Sequence, residues 1–217
     1  MSKDTILNLF NKMNKQIKIK TSWEAITLKE YEQIEQILKS DIPTDYKAVN
    51  LLSVLSGEEV GLFENLPLHQ FSKLTKLLNF LTVEMPEVKV KDSYEINGRK
   101  YVVKADIPSI STAQYIDYQT YMKEKPVDLQ KVISVFLIPE GHSYNDGYKI
   151  EEVLADIHDM RIMDVQALGF FIQKQSALFI IVTRDYLSHQ MKKMKIPMAK
   201  IQEDLEPLNS LALSLLS

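Results

Sequence analysis

Histidine and carboxylate side chains are the residues of this chain whose types could support metal or acid–base chemistry. Asp156, His158 and Asp159 are close in sequence, but neighbouring helix positions point in different directions and do not converge on one metal ion. None of the histidines has the spacing of a zinc protease or of a paired metal ligand. We therefore interpret these residues as solvated helix surface and expect no metal site. The histidines are His69, His142, His158 and His189.

Motifs for nucleotide, hydrolytic or calcium chemistry are absent from the sequence. The chain has six glycines, with no phosphate-binding loop and no Gly-x-Ser-x-Gly turn. Zero cysteines exclude disulfides, thiolate ligands and a cysteine nucleophile. The segment around Asp146 and Gly147 lacks the spaced acidic ligands of an EF-hand loop, so it predicts a turn. We expect a protein that is not an enzyme and binds no cofactor.

Two segments could contact nucleic acid. Tyr115, Tyr118 and Tyr121 could offer rings for stacking, because stacking accepts any base. That segment has no Arg and is basic only at its end, so core packing is the favoured interpretation. Residues 184–200 carry lysines interleaved with methionines. These lysines could contact acidic protein or DNA, or they could complement a helix macrodipole, and both interpretations stay open.

Composition limits the class of protein. With 217 residues, 45% hydrophobic and 25% charged, the chain can bury the core of one large domain or two small ones. A net charge of −3 argues against a protein that mainly coats nucleic acid. The longest apolar stretch, near residues 177–182, is far shorter than the roughly 20 residues that cross a bilayer, so we predict no membrane span.

The N-terminus predicts a helix and an arm over residues 1–25. Apolar residues from Ile6 to Ile17 recur at helical spacing, which predicts a helix over residues 4–16 and not the core of an export signal. Beyond this helix, Ile17 and Ile19 alternate with lysines. This alternation predicts a short strand or an extended arm.

Residues 26–85 predict a segment of three helices. Thr27 and Glu30 form a capping box that begins the first helix. Thr44 or Asp45 would cap a second helix that ends at Ser56-Gly57, and Pro67 suits the first position of a third. A domain boundary is expected after this segment.

The dipeptide Asn97-Gly98 is the clearest local signal in the chain. It lies between two runs that alternate polar with apolar residues. Asn and Gly tolerate the positive φ of a two-residue type I′ turn, so they predict a β-hairpin. Its register would place Tyr94 opposite Tyr101.

Helices are expected after the hairpin. Ser111 or Thr112 would cap a helix that runs to about Met122 and places Gln114 on its wetter side. Asp164 would cap a long helix. Because apolar residues occur on most sides of that long helix, we expect other helices or a partner to enclose it. Residues 92–190 are thus predicted as a hairpin plus helical core, although residues 26–190 could form one compact unit. The predicted fold class is mainly α, a helical bundle with one inserted β-hairpin.

The tail, residues 191–217, is predicted to be a docking arm. Its apolar residues alternate by three and four, as in a helix seam. Pro197 and Pro207 interrupt this seam, which predicts two short helices or an extended arm and makes a fold-back onto the core awkward. We therefore expect the tail to dock between molecules. The candidate partner-binding residues are Ile201, Leu205, Leu208, Leu215, Met194 and Met198.

The order of these pieces carries a resemblance to a known group of proteins. The pieces are Trp23 with Ile26-Thr27, Leu66-Pro67-Leu68, the hairpin from Tyr94 to Val103, Gln114-Tyr115-Ile116-Asp117, and Pro139-x-Gly followed by Tyr144-Asn145-Asp146-Gly147-Tyr148. Over about residues 20–185 the chain resembles small proteins encoded among the virion morphogenesis genes of tailed phages, especially phages of gut Bacteroidetes. Members of this group are described as tail assembly chaperones or virion structural proteins.

The resemblance implies a function, partners and a location. The function would be non-enzymatic: a structural component near the tail or portal, or a chaperone for a tail protein. Other phage structural or assembly proteins would be its partners, in a homo-oligomer or multi-copy assembly, in the virion or in the host cytoplasm during assembly. The alternative hypothesis is a nucleic-acid-associated protein that is packaged with the phage genome or acts on it. This alternative predicts DNA binding that weakens steeply with salt.

Overall fold

A computed structural model describes the backbone of residues 4–8 and 16–216 and the side chains of residues 17–216. Within this part of the chain the fold is mainly α with small β elements, which confirms the predicted fold class. The helices are α1 Leu28–Lys39, α2 Thr44–Ser56, α3 Val60–Glu64, α4 Leu68–Thr75, α5 Thr112–Lys123, α6 Leu129–Phe136, α7 Ile150–Asp159, α8 Ile162–Lys193 and α9 Met198–Leu216. The strands are β1 Asp4–Asn8, β2 Gln16–Lys20, β3 Ser93–Ile96, β4 Arg99–Val103 and β5 Leu137–Pro139.

The described chain divides into two compact units. Unit 1 contains the described residues up to Lys89 and a returning segment, Ala155–Val165. Unit 2 contains Val90–Leu154 and the described residues from Gln166 onward. The C-terminal residues that the sequence sets apart as an arm therefore belong to unit 2.

Unit 1 has a strand where the sequence predicts a helix. β1 pairs with β2 in an antiparallel register that sets Thr5 opposite Ile19. The predicted helix is therefore wrong over residues 4–8 and at residue 16, and its residues 9–15 lie outside the described part of the chain. Helical spacing is a local signal, whereas strand pairing satisfies backbone groups through a segment further along the chain. In β2, Ile17 and Ile19 are both buried.

Helix α1 begins at the capping box. The Thr27 hydroxyl accepts a hydrogen bond from the backbone N–H of Glu30 at 3.3 Å, and the Glu30 carboxylate accepts one from the backbone N–H of Thr27 at 2.9 Å. Lys20 forms an ion pair with the same carboxylate at 2.6 Å. The backbone N–H of Leu28 donates to the carbonyl of Met160 at 2.8 Å. This bond joins the returning segment to the start of α1.

A three-stranded antiparallel sheet of order β3-β4-β5 lies in unit 2. β3 and β4 form the hairpin, with Tyr94 opposite Tyr101. Asn97 (φ 51°) and Gly98 (φ 76°) form its turn, and both have the positive φ that a type I′ turn requires. Strand β5, which the sequence pattern does not predict, pairs with the other edge of β4 and follows α6 directly.

Helix α5 carries a polar residue into the core. The Ser111 hydroxyl caps this helix by accepting from the backbone N–H of Gln114 at 3.2 Å. Gln114 is buried, and its amide donates to the carbonyl of Val135 at 2.8 Å. The prediction that Gln114 lies on the wetter side is therefore wrong. A buried amide is stable when it has a hydrogen-bond partner, and residue spacing does not reveal that partner.

Helices α8 and α9 fold back on each other. Their connection turns at Lys195 (φ 59°), and the backbone N–H groups of Lys195 and Ile196 donate to the carbonyls of Lys192 and Met191. These two bonds form a Schellman motif. Arg184 Nη1 on α8 donates to Asn209 Oδ1 on α9 at 2.8 Å.

The tail forms one continuous helix, so the predicted pair of short helices or extended arm is wrong. Pro207 lies inside α9 and lacks the N–H that would continue the helical hydrogen bonds. The seam stays on one face across Pro207, so apolar burial offsets that loss. The seam residues are buried or half-buried within the chain itself: Ile201, Leu205, Leu208, Ala212 and Leu215.

Candidate functional site

A cleft of about 460 Å³ opens in unit 2 between α5, α6 and α8. This volume is in the range of pockets that bind ligands. Among the described residues, no Asp, Glu, Lys, Arg or His lines it, so we call it the neutral cleft. Its apolar walls are formed by Met122, Val127, Leu129, Val132, Phe170 and Ile172.

Tyr118 links α5 to α8 beside the neutral cleft. Its hydroxyl donates to Ser176 Oγ at 2.6 Å, and its ring contacts Phe136 edge-on at 5.2 Å between centroids. Burial raises the pKa of the Tyr118 hydroxyl above its ordinary value, against a smaller lowering by Ser176. The phenol is therefore protonated at neutral pH and holds two helices together.

Three small or polar residues of α8 line the same cleft. Gln166 and Gln173 are half-buried, and within the described chain neither side chain has a hydrogen-bond partner. They are separated by ~10.5 Å along the helix axis, at 1.5 Å per residue. Between them is Gly169, where a Cβ would lie 2.8 Å from Leu129 Cδ1. Gly169 thus permits α8 to approach the start of α6, and the two amides can donate to and accept from a neutral ligand.

Helix α8 exposes a line of large apolar side chains. Leu178, Val182 and Tyr186 follow one another at four-residue spacing and are 45%, 66% and 61% exposed. We call these three residues the α8 ridge. The remainder of the described chain does not cover them, so enclosure by other helices is wrong for this face. Contiguous exposed apolar surface commonly marks an interaction site.

Helix α8 is also long and apolar enough to cross a membrane. This property rests on its 32 residues and on a stretch with a mean hydropathy of 1.4, of which 33% is buried. The core helix of a soluble protein can be equally long and apolar. Hydropathy alone therefore does not separate a protein-binding helix from a membrane-binding one.

The predicted partner-binding residues do not form one surface. Met194 and Met198 lie at the α8–α9 connection and are 66% and 54% exposed. Ile201 and Leu205 are buried within the chain. Docking of the tail between molecules stays a prediction. Of the predicted partner-binding residues, the two methionines are the exposed ones in this conformation.

Asp146 and Gly147 lie in a loop against His142. The backbone carbonyl of Asp146 is 3.0 Å from His142 Nδ1. Gly147 has a φ of 77°, and a Cβ there would lie 2.7 Å from the same nitrogen. The arrangement makes the glycine necessary for a close approach of the loop to the imidazole.

The three tyrosines of α5 do not form a row of exposed rings. Tyr115 contacts Phe179 at 6.4 Å between centroids, Tyr118 is buried, and Lys131 Nζ lies 5.7 Å from the centre of the Tyr121 ring. Successive bases would need parallel, accessible faces. The arrangement therefore offers no stacking surface of that kind.

The basic residues near the end of α8 are accessible. Lys192, Lys193 and Lys195 are exposed, and within the described chain their side chains form no ion pair. Lys200 differs because it pairs with Asp204 at 2.9 Å. Among the described residues, no three His, Asp or Glu side chains come together as metal ligands.

The neutral cleft is not apparent from the sequence. Gly169 was the available signal, because a glycine inside a helical pattern often marks close packing of another element. Gln166 and Gln173 carried no signal by themselves. Their meaning depends on α5 and α6, which approach α8 only in the folded chain.

Comparison with known proteins gives no relative from which a role could be transferred. The chain matches no protein-family model, no curated protein and no solved structure. A function for the chain therefore has to be inferred from the neutral cleft, the α8 ridge and the resemblance described above.

Proposed function

We propose that the protein is a non-catalytic component of tailed-phage virion morphogenesis that binds another structural or assembly protein through unit 2. The observation that carries this proposal is the exposed α8 ridge on the same helix as the neutral cleft. The resemblance over about residues 20–185 supplies the phage context. The role is structural, near the tail or portal, or that of a chaperone for a tail protein.

The chemistry of the surface favours an uncharged, amphipathic partner segment. The ridge from Leu178 to Tyr186 spans ~12 Å, which is about two turns of a helix. An apolar helix face laid along it would use the helix-in-groove mode of recognition. Phe170, 71% exposed at the cleft, is the aromatic anchor that such an interface would bury. Gln166 and Gln173 would then bond to polar groups of the partner.

Composition of the phage particle tests the role. Mass spectrometry of purified virions should find multiple copies if the protein is structural. A chaperone should instead be present in infected-cell extracts and missing from virions. Absence from both, in a phage that expresses the gene, would overturn the proposal.

Site-specific photocrosslinking tests the surface. We expect a photoreactive residue at Val182 to crosslink to a virion or tail-assembly protein in infected cells, because the ridge would be buried in that complex. The matched control places the same residue at Lys123, which is exposed at the end of α5. Equal crosslinking from both positions, or none from Val182, would contradict the proposed surface.

Two further measurements separate other uses of unit 2. Flotation with liposomes would indicate that α8 binds lipid, an outcome that its length and hydropathy permit. The alternative of a nucleic-acid-associated protein, with residues 192–200 as its contact, predicts retention on DNA that falls steeply with added salt. If Val182 crosslinks to no protein and the chain binds liposomes or DNA in this way, lipid binding or DNA binding replaces the proposed function.

A further inference from the structure

A second apolar surface lies in unit 1, between α2, α3 and α4. It is a groove of about 550 Å³. Phe63 and Val49 are buried at its base, whereas Tyr46 and Leu68 are 56% and 80% exposed. The groove thus presents apolar surface that the described chain leaves uncovered.

Two carboxylates distinguish this groove from the neutral cleft. Asp45 and Glu64 are among the residues that line it, and no Lys, Arg or His from the described chain does so. Both are exposed, and within residues 17–216 neither has an ion-pair partner. The N-terminal end of α2 favours a negative charge at Asp45, but Glu64 ends α3, where the helix gives it no such support. We call this surface the acidic groove.

The chain carries a segment of complementary chemistry at residues 192–198. Lys192, Lys193 and Lys195 are exposed and unpaired within the described chain, and Met194 and Met198 are exposed between and beyond them. Methionine is flexible and fits irregular apolar surfaces. The Schellman motif at the end of α8 holds the segment in a defined turn. We call it the basic segment.

We infer that the basic segment of one copy binds in the acidic groove of a second copy. Its lysines meet Asp45 and Glu64, and its methionines cover the apolar surface between Tyr46 and Leu68. A second copy is the occupant because this chain itself supplies exposed cations and exposed methionines in one segment.

The contact has a defined symmetry. Each copy contributes one groove and one segment, so the interface is heterologous and joins molecules head to tail. Such contacts close into a ring or extend into a filament. The inference goes beyond the proposed function, because it uses neither the neutral cleft nor the α8 ridge, and each can fail alone.

Sedimentation of the full chain over a range of concentrations tests this inference. The wild type should associate reversibly, and association should weaken with salt because the contacts are partly exposed ion pairs. The groove variant Asp45→Lys/Glu64→Lys and the segment variant Lys193→Glu/Lys195→Glu should each lose self-association. Mixed together, the two should co-assemble in equal amounts, because the wild-type groove of one meets the wild-type segment of the other and the reversed groove meets the reversed segment.

Two controls make the result specific. A chain with all four substitutions keeps the net charge of −3 and exchanges the two charges, so it should regain self-association. The variant Glu84→Lys/Glu87→Lys, at exposed carboxylates outside the groove, should associate like the wild type. Circular dichroism and thermal melting establish that each variant is folded.

Three results would overturn the inference. One is a wild type that stays monomeric up to its solubility limit. This result is expected if the groove binds the segment of its own chain or a different basic protein. Another is association that both double variants retain. The last is loss of association in both variants with no complex on mixing and no recovery in the four-substitution chain.

Discussion

Two chain reversals in unit 2 both contain residues at positive φ, but they differ in the residues that adopt it. The β3–β4 turn uses Asn97 and Gly98 at positive φ, and the α8–α9 connection uses Lys195 at positive φ. Asn and Gly are the residues that adopt this conformation readily, whereas the Cβ of a lysine makes it unfavourable by roughly 1 kcal/mol. The first turn is therefore specified locally. The second is maintained by what the helices on either side of it bury.

The burial around the second reversal is concentrated on the seam of α9. Ile201 is 2% exposed and Leu205 is 7% exposed. The bond from Arg184 to Asn209 adds a polar contact between the two helices. Local strain at Lys195 and a proline inside α9 are thus outweighed by packing between segments of the same unit.

The largest expected effect comes from removing part of that packing. We predict that Ile201→Ala lowers the free energy of unfolding by about 2–5 kcal/mol, because it leaves a cavity under α9. Urea denaturation at several protein concentrations measures this. The control Leu213→Ala removes an exposed leucine of the same helix and should change stability by less than about 0.5 kcal/mol.

The outcome also decides where the tail docks. If Ile201→Ala lowers the free energy of unfolding by the same amount at every protein concentration, the seam packs within its own chain. By the same reasoning, deletion of residues 197–217 should destabilise the monomer, which is the opposite of what the sequence-based docking arm predicts. A truncated chain with unchanged melting, or an Ile201→Ala effect that appears only in an oligomer, would restore the docking arm.

A smaller effect is expected at the β3–β4 turn. Gly98→Val places a β-branched residue at positive φ and should lower the free energy of unfolding by about 1–3 kcal/mol. The control is Gly61→Ala in α3, where a Cβ meets nothing within 4 Å and no positive φ is required. That change should leave stability equal or raise it by about 0.5–1 kcal/mol. Equal destabilisation by both would mean that the turn does not depend on positive φ.

Local signals in the sequence predicted the elements that depend on neighbouring residues. Thr27 and Glu30 cap α1 through each other, so a four-residue pattern contains the full interaction. For the β3–β4 turn, the two residues Asn97 and Gly98 are themselves the complete local signal. The mainly α fold class followed from several such signals.

Elements that depend on distant partners were not predicted. β1 was mistaken for helix because its pairing with β2 is invisible in its own spacing. Gln114 is buried because Val135, in α6, accepts its hydrogen bond. Pro207 does not break α9 because the seam on both sides of it is covered. In each case tertiary contacts overrode a local preference.

The surfaces on which function depends were predictable only in part. Met194 and Met198 were candidates from the sequence and are exposed, whereas Ile201 and Leu205 were candidates and are buried. The acidic groove and the neutral cleft each draw on three helices. Their charge difference therefore becomes visible only when the helices are assembled.

The smallest expected effect is a gain in stability at the second reversal. Lys195→Gly removes the Cβ that opposes positive φ and should raise the free energy of unfolding by about 0.5–1 kcal/mol, after allowance for the greater entropy of glycine in the unfolded chain. Lys195→Ala is the matched control, because it removes the same charge but keeps the Cβ. Measured at high salt and low concentration, where the proposed self-association is weak, only the glycine variant should gain stability. If Lys195→Ala raises the free energy of unfolding as much as Lys195→Gly, the gain comes from removing the charge and not from relieving backbone strain. The contrast between the two reversals then does not hold.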